Sequence, residues 1–149
     1  MSSYTITWPS DTKQVIDAIR GVIGRDITIT APNTASGCST CSLDPVNNTS
    51  TDPFCPTCSG NYWIITYAET TVSGHVRWYP FDEPHAMTGG IVFEGDCIVT
   101  IEYTSDNLEA VKAADWFTVD GKRMVLWKYL LRGKQPINRI RLMLKEEEQ

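Results

Sequence analysis

The sequence predicts a mainly β protein, a small antiparallel barrel or sandwich with an N-terminal helix, a short second helix and an inserted four-cysteine loop. Three observations carry that prediction. Five or six runs alternate apolar and polar residues, which is the period of a half-buried strand. Turn signals separate these runs at short intervals, and helical spacing appears in only two places. The 149 residues are enough for one domain with a modest core. Closing the sheet into a barrel removes the unpaired edges that a protein of this size would otherwise expose.

The first helix is expected over residues 11–23. Val15, Ile16, Ile19, Val22 and Ile23 recur there at helical spacing. Ser10 or Asp11 serves as N-cap after Pro9, and Gly24 is the stop. Asp26 to Thr30 alternates as a strand that Ala31-Pro32 should end. After the cysteine loop, residues 61–68 and 70–79 read as two further strands, and 80–90 reads as a loop. Residues 91–104 hold a Gly-Asp turn and then a strand with Cys97, Val99, Ile101 and Tyr103 on one face. Asn107 to Ala114 reads as a short helix capped by Ser105 or Asp106. Phe117 to Leu126 is a hairpin about Asp120-Gly121, a pair suited to a two-residue turn with positive φ. The last strand, Ile137 to Leu144, sets Ile140, Leu142 and Leu144 on one face. The whole chain, 1–149, reads as one domain, with residues 32–60 as a metal-binding insertion.

The insertion carries the sharpest chemical signal. Cys38-Ser-Thr-Cys41 and Cys55-Pro-Thr-Cys58 form a C-x2-C-x13-C-x2-C pattern. Each C-x2-C turns two sulfurs toward one point, and two such turns supply four ligands to a tetrahedral ion at roughly 2.3 Å. Pro56 fixes φ in the second knuckle, and Gly37 and Gly60 supply freedom beside them. The polar stretch from Ser42 to Phe54 has little to bury, so an ion is its anchor. One structural zinc is therefore expected. Four thiolates leave no open coordination position, which argues against a catalytic metal. Two disulfides are the first rival, and they require an oxidising compartment. The opening MSSYTITWPS lacks the pattern of a signal peptide, so reduced thiols are expected and the sequons at Asn47 and Asn48 are expected to be silent. Redox chemistry at one C-x2-C is the second rival, but that motif usually joins a strand to a helix. Cys97, the fifth cysteine, reads as a buried small hydrophobe.

Composition excludes several classes. With 42% hydrophobic residues the chain is not disordered as a whole. No apolar run reaches the roughly 20 residues that a membrane helix needs. The net charge is −5, but it is unevenly placed. Residues 1–120 carry 15 acidic and 5 basic side chains, and residues 121–145 carry 8 basic and no acidic ones. Glu146, Glu147 and Glu148 follow. The basic residues Lys122, Arg123, Arg132, Lys134, Arg139 and Arg141 are the candidate contacts to a neighbouring subunit or to nucleic acid. A solvated basic hairpin on a monomer is the plainer reading.

No catalytic constellation is visible, and no enzyme activity or small-molecule substrate is expected. The chain has two histidines. His85 lies near Asp82 and Glu83, which reads mainly as an exposed polar loop and more remotely as a second metal site or an acid–base pair. His75 follows Gly74 on a sheet face. Trp63, Tyr67, Trp78, Tyr79 and Phe81 read as packing rather than as a base-stacking platform.

The order of elements resembles the head–tail connector proteins of tailed bacteriophages, the head-closure or neck proteins. The resemblance runs over about residues 15–145: VIGRDITITAP, a four-cysteine insertion, TVSGHVRWYP, GGIVFEGDCIVTIEY, the hairpin FTVDGKRMVLWKY and the closing NRIRLMLK strand. It implies a β-barrel subunit of a homo-oligomeric ring in the virion, assembled in the host cytoplasm. That ring would join portal or adaptor to tail proteins and extend the DNA channel. By the same resemblance the 80–90 loop and the cysteine loop would touch neighbours. Many head-closure proteins lack a metal site, so the knuckles do not carry the likeness. A cytoplasmic zinc-ribbon module that binds nucleic acid or a protein partner is the second reading.

Overall fold

In the computed structural model, residues 12–79, 85–87, 90–92, 95–133 and 136–147 are described. Helix α1 (Thr12–Ile23) leads into β1 (Arg25–Gly37), the short strands β2 (Leu43–Asp44) and β3 (Thr49–Ser50), and then β4 (Trp63–Trp78). Next come β5 (His85–Met87), β6 (Gly90–Val92), β7 (Cys97–Glu102) and helix α2 (Ser105–Ala113). β8 (Trp116–Val119), β9 (Lys122–Arg132) and β10 (Arg139–Glu146) complete the chain. Six of these strands close a barrel in the order β1-β4-β7-β10-β9-β8, and every neighbouring pair is antiparallel. The mainly β architecture, the closed barrel and the two helices follow the sequence pattern.

Alternation fills the barrel. Ile27 and Ile29 from β1, Val99 and Ile101 from β7, and Ile140, Leu142 and Leu144 from β10 are all buried. Phe117, Val119 and Met124 close the same cluster from β8 and β9. Cys97 belongs to it as well. A barrel of this size is packed with side chains and leaves no pore. Val111 of α2 enters the core, with Leu108, Ala110 and Ala114 packed against it. Thr104 caps α2, its Oγ1 accepting from the Asn107 amide at 3.0 Å, one residue earlier than Ser105. The β8–β9 turn has φ of 50° at Asp120 and 80° at Gly121, the paired positive values that a tight hairpin needs. Asp120 also gathers three elements, because its carboxylate accepts from Trp78 Nε1 at 3.0 Å and from Arg25.

Four expectations change in detail. β1 does not stop at Pro32; a bulge between Pro32 and Thr34 absorbs the missing amide, and the strand runs on to Gly37. The two strands expected over 61–79 are one strand of 16 residues, β4. The loop expected over 80–90 contains β5, paired with β6 from His85↔Val92 to Met87↔Gly90; Asp82 and Glu83 lie outside the described residues. α1 forms, but it turns Arg20 inward, held by Asp17 at 2.9 Å. Its apolar residues Val15, Ile19, Val22 and Ile23 stay exposed, at 51, 52, 84 and 52%. The caps proposed at Ser10 and Asp11 lie outside the described residues.

β1 and β4 are longer than the barrel needs. β1 meets β8 only from Ile27 to Thr30, and β4 meets β7 only from Gly74 to Trp78. From Ala31↔Ala68 to Gly37↔Trp63 the two strands pair with each other alone. They form an arm reaching about 20 Å from the barrel at 3.4 Å per residue. The four cysteines sit at its end.

Candidate metal centre and the basic face

β1 delivers Cys38 and β4 receives the chain from Cys58, so the arm brings the two knuckles together. The Cys38 amide donates to the Tyr62 carbonyl at 2.9 Å, extending the ladder by one bond. Thr40 and Thr57 hold matching places in the two knuckles, and their hydroxyls meet at 2.8 Å. The loop between is ordered by its own polar groups. Asp44 accepts from the Val46 amide at 2.9 Å and from Asn47 Nδ2 at 2.8 Å. The Asp52 amide donates to Ser50 Oγ at 3.0 Å, and the Phe54 amide donates to Asp52 Oδ1 at 3.0 Å. Gly60 closes the second knuckle with φ of 83°, where a Cβ would lie 2.8 Å from the Pro53 carbonyl oxygen.

The four sulfurs of Cys38, Cys41, Cys55 and Cys58 lie within 4.8 Å of one another. Cys38 Sγ is 3.8 Å from Cys55 Sγ, and Cys41 Sγ is 3.5 Å from Cys58 Sγ. A disulfide would place sulfurs at about 2.05 Å. Four sulfurs about 2.3 Å from a central ion sit on tetrahedron edges of about 3.8 Å. The geometry therefore fits a metal ion held by four thiolates. Three of the cysteines are buried, and Tyr62 and Ile64 pack against the cluster.

Charge at this point is self-limiting without a cation. Thr40 hydrogen bonds, chiefly its amide to Cys38 Sγ at 3.4 Å, draw the Cys38 thiol down to about 6. A Ser50 hydrogen bond pulls Cys41 down, but burial and the neighbouring thiols together push it up to about 12. A divalent ion at the centre reverses that repulsion and makes four thiolates compatible.

The basic segment does not stay together. Lys122 bonds Glu146 at 3.1 Å and lies over the Trp78 ring. Arg123 pairs with Glu147 and stacks 4.0 Å above Trp116. The Glu147 amide also donates to the Arg123 carbonyl at 3.2 Å, because β10 returns antiparallel to β9. Trp116 meets Tyr67 of the arm at 4.6 Å, so Arg123 belongs to a stack that braces the arm's base. Lys134 lies outside the described residues. Arg132, Arg139 and Arg141 instead line a groove of about 420 Å³ on the outer wall of the barrel. His75 and Arg77 of β4 line it too. His75 sits on the sheet face, as its position after Gly74 indicates. Its meeting with Arg141 depends on strand order, which the sequence does not display.

Among the described residues no helix is long and apolar enough to cross a membrane. No family model matches the chain, and no curated protein is significantly similar to it.

Proposed function

We propose that the chain is a structural assembly subunit that forms a homo-oligomeric ring, with one structural zinc ion folding the end of its arm. The observation that carries this reading is the outward apolar face of α1. The core is complete without it, yet Val15, Ile19, Val22 and Ile23 present a helical stripe to solvent. Such a stripe is costly to expose on a monomer and is the usual material of an interface between copies. The arm adds a second surface of the same kind. Trp63, Ile65 and Tyr67 alternate along one side of β4 and are partly exposed. Two dissimilar surfaces on one subunit fit a head-to-tail contact that closes on itself as a ring.

The setting that best suits such a subunit is the head–tail junction of a tailed phage, where it would join portal or adaptor to tail and surround passing DNA. The order of elements set out above supports that setting. Zinc is the ion this site fits best, because four thiolates at tetrahedral spacing favour it and leave no place for substrate.

The test is native mass spectrometry of the purified chain beside an Ile19→Glu, Val22→Glu variant. The expected result is a closed assembly on the order of 6 or 12 copies, reduced to monomer in the variant with its zinc retained. A wild-type chain that stays monomeric at high micromolar concentration would overturn the ring. Quantitative mass spectrometry of particles from the source then tests the virion setting through copy number.

A further inference from the structure

We infer that the outer wall of the barrel carries a phosphate-binding groove, built by β4, β7, β10 and β9, that takes the backbone of a nucleic-acid strand. The inference is independent of the ring reading. Strand parity builds the site. On β7 and β10 the residues Cys97, Val99, Ile101, Ile140, Leu142 and Leu144 point inward, so Ile98, Thr100, Arg139 and Arg141 point outward. Register then aligns them. His75 pairs with Thr100, which pairs with Arg141. Arg77 lies beside Ile98 one row along, and Arg139 faces Arg132 on the other side.

Four guanidinium groups thus converge on one groove of a chain whose net charge is −5. Like charges gathered this way repel unless an anion lies between them. Among the described residues none of the four makes an ion pair, whereas Arg20, Arg25, Lys122 and Arg123 all do. The nearest carboxylate in register is Glu102, opposite Arg139. One carboxylate beside four guanidinium groups leaves an excess of positive charge, which a ligand would meet.

Three features favour phosphate on a polymer. The cations are arginines, whose planar fork matches phosphate oxygens in pairs. They come from three strands, β4, β10 and β9, and with β7 between them span about 14 Å at strand spacing, which is more than one phosphate needs. A nucleic-acid strand offers a charge every 3.4 Å or so of its axis, so such a span meets several. Finally, Ile98 and Thr100 form the floor, and among the described residues the one ring that lines the groove is the His75 imidazole, with no Phe, Tyr or Trp beside it. A single small ring among four guanidinium groups makes a poor stacking platform, so the contacts fall mainly on the backbone and do not read sequence.

The experiment is fluorescence anisotropy with a labelled 20-nucleotide oligothymidylate over a salt series, using the full chain loaded with zinc. Arg139→Gln, Arg141→Gln is the test variant, and Lys112→Gln, on α2, is the charge control. Both substituted arginines lie outside the core, and a thermal melt of each protein checks the fold. Wild type is expected to bind with log affinity falling against log salt at a slope of about 3. The double variant should bind about tenfold or more weakly, with the slope reduced by about 1.4. The control should match wild type. Inorganic tripolyphosphate and a 20-residue polyglutamate are run as competitors. Binding of tripolyphosphate alone would keep the phosphate chemistry but overturn the nucleic-acid source. Binding of polyglutamate alone, or oligonucleotide binding that the double variant leaves intact, would overturn the groove as a phosphate site.

Discussion

The barrel and the arm are made from the same two strands, yet they are held by different forces. From Ile27 to Thr30, β1 is buried between two neighbours and contributes to an apolar core. From Pro32 to Gly37 it has one neighbour and is exposed along its length. A two-stranded ribbon is marginal in water by itself. The arm compensates with a four-thiolate cluster at its far end and an aromatic stack at its base. The same chain thus holds a region that hydrophobic burial folds and a region that a metal ion would fold, joined without a break in either strand.

The strongest way to break the comparison is to attack the core. Phe117→Ala should cost about 3–5 kcal/mol, lowering the denaturation midpoint of the whole molecule while the zinc content of the folded fraction stays whole. Next in size is the reverse experiment. Cys55→Ser, or a chelator on the wild type, should leave the arm's tip without fixed structure while cooperative unfolding of the barrel persists. Amide exchange would show this as lost protection over residues 38–60 with protection kept over β7 and β10. Loss of all cooperative unfolding would mean that the arm and barrel are one folding unit.

Cysteine reactivity sharpens the contrast within a single residue type. Cys97 is buried in the barrel, and burial pushes its thiol up to about 12. In the native protein at pH 8 it should resist alkylation, whereas chelation should expose the four arm cysteines to reagent within minutes. The same shift carries a sign for stability. Folding favours the neutral thiol, so this contribution is whole below the unfolded value of 9.0 and fades as pH rises toward about 12. Denaturation midpoints should therefore fall from about pH 9 upward, and Cys97→Ala should flatten that fall. The smallest expected effect is at the brace. Tyr67→Ala should cost about 1 kcal/mol and should raise amide exchange along Ala31–Gly37 more than in the core.

Much of this was legible in the sequence, and the misses have physical causes. The knuckles are legible because metal ligation fixes both residue type and spacing. The faces of β7 and β10 are legible because one side of each meets the core. The continuity of β4 is hidden because residues 65–71 are exposed on both faces, so no buried side marks that the strand runs on through Glu69. The outward turn of α1 is hidden because helical period reveals a stripe but not what covers it. The basic segment divides for a topological reason. The return of β10 along β9 sets Glu146 and Glu147 against Lys122 and Arg123, while strand order brings His75 and Arg77 to Arg141 from far along the chain. Local pattern carries no record of either event.

The unbroken passage of β1 and β4 from barrel to arm also makes the arm a lever. It has no hinge loop, so a sideways load at the knuckles travels down both strands to the barrel wall. That load arrives beside the seam where β1 meets β8, which four residue pairs close. The Tyr67–Trp116 contact sits at this fulcrum, with β8 as its far side. Whatever grips the arm's tip therefore pulls on the shortest strand of the barrel's closure along β1, and the first bonds to yield would be those that let the barrel open.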